Sequence, residues 1–156
     1  MITISRVDRG TYELACELVI DRPREEIFPF FADAGNLELI TPPSLGFRIV
    51  TPRPVRMGAG TLIDYTIRIH GIPVSWRTQI TDWNPPASFA DTQLRGPYHL
   101  WNHTHRFEEL DDGGTRCVDL VRYRPRGGAL ANPLIARDLR AIFTYRAERL
   151  RALLTH

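Results

Sequence analysis

The residues best suited to chemistry lie on two runs near the end of the chain. Between Tyr98 and Leu110 one alternate set is His99, Trp101, His103, His105 and Phe107, and the other is Tyr98, Leu100, Asn102, Thr104, Arg106 and Glu108. The second set ends in charge, so the first is expected inside, with three imidazoles and an indole on one interior face. In the next run Cys117, Asp119, Val121 and Tyr123 alternate with Arg116, Val118, Leu120, Arg122 and Arg124. The arginine-bearing set belongs in water, which makes Asp119 an inward carboxylate. With Asp111-Asp112-Gly113 as a three-residue hairpin loop, Phe107 opposes Cys117, His105 opposes Asp119, His103 opposes Val121 and Trp101 opposes Tyr123. Opposed Cβ atoms lie about 4.5–5.5 Å apart, within reach of an imidazole–carboxylate hydrogen bond.

Three uses of such a pair stay open. His105 and Asp119 satisfy one another and organise the interior; or they orient a ligand; or His105, held by Asp119, is a general base with Trp101 and Tyr123 positioning the substrate. Two imidazoles from His103-Thr104-His105, with Asp119 or His99 as a third ligand, also fit a metal, but no fourth ligand is evident. Neither a metal nor a cofactor is expected. Phe89, Asp91, Gln93 and Arg95 share one parity of a further run and Ala90, Thr92 and Leu94 the other. A strict two-residue turn at Gly96-Pro97 puts the second set on the histidine face, and a longer loop or bulge puts the polar set there, so Asp91, Gln93 and Arg95 remain candidate ligand contacts. Tyr65, Trp76 and Phe143 are core aromatics or cavity walls, and His103 completes the candidate binding set.

These residues need a frame. Tyr12 to Ile20 alternates with the period of a half-buried strand. Asp21-Arg22-Pro23 opens a short helix through Ile27, Phe28 and Phe31, bent or cut short by Pro29, and Asp33 caps a second one through Leu37 and Ile40 that Pro42-Pro43 ends. Phe47 to Thr51 reads as a strand and the stretch to Gly60 as a loop. Ile63, Tyr65, Ile67 and Ile69 alternate with polar residues, as do Val74, Trp76, Thr78 and Ile80. A type II′ turn at Gly71-Ile72 pairs Ile69 with Val74, Ile67 with Trp76 and Tyr65 with Thr78. From Asn132-Pro133 to about Leu154 a helix carries Leu139, Ile142, Phe143, Ala147, Leu150 and Leu153 as an apolar stripe opposite Arg137, Arg140 and Arg149. Seven antiparallel strands with one apolar face need a cover, and only this helix is long enough. The expected class is α+β: a curved seven-stranded sheet gripping a long C-terminal helix, with two short helices between strands one and two.

The 156 residues, 43% hydrophobic and 24% charged, fit one globular domain over residues 1–156. The net charge is only +2 with both signs interleaved, so no nucleic-acid footprint is expected. All 20 basic residues are arginine, which removes lysine Schiff-base chemistry and the lysine-bearing phosphate loop. Without an apolar run of membrane-spanning length or a signal-like start, stable membrane insertion is not expected and the cytoplasm is the expected location. Cys16 and Cys117 have neither zinc-finger nor CxxC spacing and read as buried free thiols.

Several stretches carry a family likeness. Leu18 to Pro42, with Arg22-Pro23, Ile27-Phe28, Asn36-Leu37 and Ile40-Thr41-Pro42, resembles the opening of SRPBCC proteins, the START-like and birch-pollen-allergen-like superfamily. Gly60-Thr61-Leu62-Ile63-Asp64-Tyr65, Gly71-Ile72-Pro73, Trp76, Phe89-Ala90-Asp91, Gly96-Pro97-Tyr98, Trp101 to Phe107 and Asp119 to Tyr123 resemble its bacterial ligand-binding branch, close to polyketide cyclase/dehydrase proteins. The resemblance implies a helix-grip fold with a cavity between sheet and C-terminal helix for a small hydrophobic or amphipathic molecule. It implies neighbouring first and last strands, which would bring Cys16 and Cys117 close. It brings no catalytic motif and no Rieske-type cluster. Ligand binding is the first expectation, a cyclase- or dehydratase-type enzyme the second, and a structural or partner-binding domain without a ligand the third.

Overall fold

A computed structural model describes residues 1–155; His156, the last residue of the expected domain, lies outside the described residues. The elements are β1 (Ile2–Asp8), β2 (Thr11–Ile20), α1 (Arg24–Phe31), 3₁₀ turns at Ala34–Ile40 and Pro43–Leu45, β3 (Arg48–Ile49), β4 (Leu62–Ile69), β5 (Ile72–Asn84), β6 (Ser88–Arg95), β7 (Tyr98–Glu109), β8 (Thr115–Pro125) and α2 (Gly128–Leu154). The strands form one antiparallel sheet in the order β1-β2-β8-β7-β6-β5-β4-β3, wrapped around α2. This is the helix-grip fold, with eight strands where seven were expected. The added strand is β1, whose apolar alternation is only Ile2 and Ile4 deep because it is an edge strand half open to water.

The first and last long strands are neighbours, as the resemblance implied. β2 pairs with β8, with Cys16 opposite Asp119 and Leu18 opposite Cys117. The register of β7 on β8 matches the hairpin argument at all four pairs from Trp101 and Tyr123 to Phe107 and Cys117. Its loop closes through Gly113 N–H to the Leu110 carbonyl, with Gly113 at φ 87°, where a side chain would be strained. The β4–β5 hairpin differs from expectation. His70 and Gly71 both have positive φ, a type I′ turn, so Ile69 faces Ile72, Ile67 faces Val74 and Tyr65 faces Trp76. The register is two residues away from the expected one, and a shift of two leaves every side chain on its original face.

A second difference lies at the start of α2. The helix begins at Gly128 rather than at Pro133, which sits inside its first turns; Asn132 accepts a hydrogen bond of 2.8 Å from the Tyr123 hydroxyl instead of capping. With 27 residues the helix is about 40 Å long. Leu139, Phe143, Leu150 and Leu154 form its buried face, whereas Leu153 is exposed. Three apolar clusters pack the interior. Phe28, Phe31, Phe89 and Phe107 pack with Leu150 and Leu154 in one, Tyr12, Trp76, Trp101, Tyr123, Leu139 and Phe143 in the second, and Ala34, Ile63 and Ile80 in the third. Among the described residues no helix is long and apolar enough to cross a membrane.

Cys16 and Cys117 are free and buried, and burial pushes the Cys117 thiol up to about 12 and raises that of Cys16. A water-soluble thiol reagent should therefore label both slowly in the native protein and rapidly in denaturant. Fast native labelling of either would place β2 or β8 inside out.

Candidate functional site

Between the sheet and α2 lies a cavity of about 840 Å³. Its walls are mostly apolar, with Ile63, Ile67 and Trp76 from the sheet and Leu139, Ile142 and Phe143 from the helix. Tyr65 stacks on Trp76 at 5.6 Å, and Trp101 stands edge-on to Trp76 at 5.3 Å and 89°. Asp91, His103, His105 and Arg146 are the polar cluster in these walls. At the end where the β4–β5 turn meets α2, His70 Nε2 lies 2.8 Å from Asp138 Oδ2.

The polar cluster and its supports are built across five elements. Asp91 on β6 lies opposite His103, and Phe89 opposite His105, which settles the parity left open: Phe89 and Asp91 face inward. His105 is clamped between two rings, Phe89 at 4.0 Å and His103 at 3.7 Å, both nearly parallel to it. Its Nε2 lies 3.1 Å from Asp91 Oδ2 and its Nδ1 3.3 Å from Asp119 Oδ1. The same Asp119 oxygen is 2.8 Å from His103 Nε2. Arg146, from the buried face of α2, donates through Nε to Asp119 Oδ2 at 3.3 Å and through Nη2 to Oδ1 at 3.2 Å. Thr78 on β5 donates to Asp91 Oδ1 at 3.2 Å.

Electrostatics follow from this wiring. Burial alone would raise the Asp119 pKa, but Arg146 and the two imidazoles hold it well below the usual carboxylate range. Asp91 is lowered too: burial opposes its charge, and the hydrogen bond to His105, the nearby imidazoles and Thr78 together outweigh that. Burial works against a charged His105, yet its bonds to Asp119 and Asp91 prevail and its pKa is raised. Burial pushes His103 down to about 4, and the neighbouring His105 adds to that. The two stacked rings are thus shifted in opposite directions.

Other expected residues sit elsewhere. His99 is exposed, because a bulge at the start of β7 turns Tyr98 inward and His99 out, within 3.4 Å of Arg126. Tyr123 is fully buried in the packing behind the cavity, stacked on Tyr12. Gln93 points to its own hairpin, donating Nε2–H to the Tyr98 carbonyl at 2.8 Å and accepting from the Tyr98 N–H at 3.1 Å. Arg95 is exposed at the strand end. Neither Gln93, Arg95 nor Tyr123 lines the cavity, and Asp119 lies behind the histidines rather than in the wall. Arg146 is the residue that sequence reasoning missed. Its signal was present: it occupies the stripe position between Phe143 and Leu150, where every other member is apolar.

A curved antiparallel sheet gripping a long helix, with an aromatic-walled cavity between them, defines a helix-grip protein of the SRPBCC superfamily. Within it the chain belongs to the family described as polyketide cyclase / dehydrase and lipid transport, whose model matches residues 20–152. No curated protein matches the chain. Solved structures share its fold. The Zhui aromatase/cyclase from Streptomyces sp. R1128 has a TM-score of 0.74 at 15% identity, covering 92% of this chain and 93% of that one. Protein Ms6760 from Mycobacterium smegmatis has a TM-score of 0.68 at 22% identity over 99% and 98% of the two chains. Ara h 8.0201 has a TM-score of 0.62 at 16% identity over 90% and 98%.

Arg146 is 8% exposed and is the only guanidinium joined to Asp119 among the described residues. Arg146→Met should destabilise the protein by about 3–5 kcal/mol, the cost of stranding a buried carboxylate. Adding Asp119→Asn should recover part of that loss in urea denaturation. A single-variant loss under about 1 kcal/mol, in the range of a surface pair, would show that the pairing does not hold the interior together.

Proposed function

We propose that the chain binds a small hydrophobic or amphipathic molecule in the cavity between the sheet and α2. The observation that carries this reading is the cavity itself, of about 840 Å³, mostly apolar and aromatic in its walls with a few convergent polar groups at one place. Ligand sites of soluble proteins have this size and this mixture, in which apolar walls give affinity and sparse polar groups fix orientation. The family description, which joins lipid transport to cyclase and dehydrase chemistry, supports a ligand of that class. Asp91, His103 and His105 would meet the polar part of the molecule, and Tyr65, Trp76, Trp101 and Phe143 its apolar body.

Native mass spectrometry of the purified protein should show one organic molecule retained per chain, or one equivalent of an anilinonaphthalene sulfonate dye taken up with quenching of Trp76 and Trp101 fluorescence. Leu139→Trp, which grows a ring into the cavity from α2, should weaken dye binding at least tenfold without changing the far-ultraviolet circular dichroism. Dye binding that is untouched by this substitution would move the site elsewhere.

A further inference from the structure

We propose that Asp91, His103 and His105 form a binding site for one divalent first-row transition-metal ion of the zinc type, set in the cavity wall. One ligand atom from each of the three lies within 4.8 Å of the others, and the three come from two paired strands, so the sheet itself holds them together. A tetrahedral ion with bonds of about 2.0–2.2 Å keeps its ligand atoms about 3.3 Å apart, so the set must close by up to about 1.5 Å, and the rings of His103 and His105, stacked at 3.7 Å, must tilt apart as the ion enters. All three residues line the cavity, which leaves the remaining coordination position for water or for a polar group of a bound molecule.

The surroundings already have the form that metal-binding histidines require. Such a histidine donates its second ring N–H to a carboxylate, which fixes the tautomer and the ring plane. Asp119 Oδ1 lies 2.8 Å from His103 Nε2 and 3.3 Å from His105 Nδ1, placed to accept from either ring, and Arg146 Nη2 lies 3.4 Å from the same Nδ1. Nδ1 of His103 and Nε2 of His105 are then the nitrogens available to an ion, and His105 Nε2 already lies 3.1 Å from the Asp91 carboxylate. Arg146, itself in the cavity wall, binds both oxygens of Asp119, and Thr78 donates to the other oxygen of Asp91. An entering ion takes the place of the Nε2 proton of His105, and that proton leaves to solvent. The sequence offered no such set, because its candidates for the third ligand were His99, which is exposed, and Asp119, which serves as the orienting carboxylate.

The test uses the metal alone, with no organic ligand, so its failure leaves the cavity reading intact. Full-length protein stripped with a chelator is titrated with zinc by calorimetry, and the imidazole nitrogens are followed by NMR. The expected result is one saturable equivalent per chain, a rise in Tm with zinc, and shifts of the His103 and His105 ring nitrogens with those of His70 and His99 unmoved. Asp91→Asn should weaken binding about 100-fold, and Cys16→Ser with Cys117→Ser should leave it unchanged. Absence of saturable binding, shifts confined to other histidines, or unaltered affinity in Asp91→Asn would overturn the proposal. The NMR readout on the unsubstituted protein decides the matter even if a variant fails to fold.

Discussion

A carboxylate on a central strand, nearly shut off from water, must be neutralised or the interior cannot form. Asp119 is 13% exposed at its side chain and receives two imidazoles from β7 and a two-point guanidinium from α2. Removing such charges from water costs several kcal/mol per ion, and the return comes only from good geometry with every oxygen occupied. The helix is therefore held by more than its apolar stripe. A shift of one residue along α2 would turn Arg146 by about 100° and leave Asp119 uncompensated. Apolar packing tolerates small slides better than this, so the charge pair fixes the register of the helix on the sheet.

A fixed helix is what allows a void to persist. Protein interiors pack to the density of organic crystals, and a helix free to settle would collapse onto the sheet. Here the apolar packing falls into separate clusters instead of filling the interior. Phe28 meets Phe107 edge-on at 5.5 Å in one, and Tyr98 packs on Trp101 at 4.8 Å in the cavity wall. Bulges in the β5–β6 and β7–β8 pairings bend the sheet around the space between.

The histidine face, the β7–β8 register and the helix-grip class were legible because a period of two and a glycine at a loop's left-handed position are local signals. Faces survived even where register did not, as in the β4–β5 hairpin, because a slip of two preserves parity. What the sequence concealed was mostly long-range. The inward turn of Asp91 depends on how β6 meets β7, and the outward turn of His99 on a bulge, neither of which composition marks. The edge strand β1 has too little apolar alternation to stand out. Arg146 could have been found, since a charge inside an apolar stripe asks for a buried partner, and Asp119 was the inward carboxylate waiting for one.

The charge count of the cluster bears on what it selects. With His105 protonated, Asp91 and Asp119 are balanced by His105 and Arg146, and the centre is then neutral as a whole although every member is polar. A neutral centre in a low-dielectric wall gives no net attraction to a full charge, which would lose its hydration without gaining a counter-ion. It does reward a hydroxyl or carbonyl that replaces a hydrogen bond on His103 or Asp91. On the proposed metal reading, exchange of the His105 proton for a divalent ion would change that balance by one unit, and the cavity would then favour an oxygen that can ionise, such as a phenol, an enol or a carboxylic acid. The apolar walls set the size and shape of the molecule that enters; the charge on this one cluster sets the chemistry of the group that it presents.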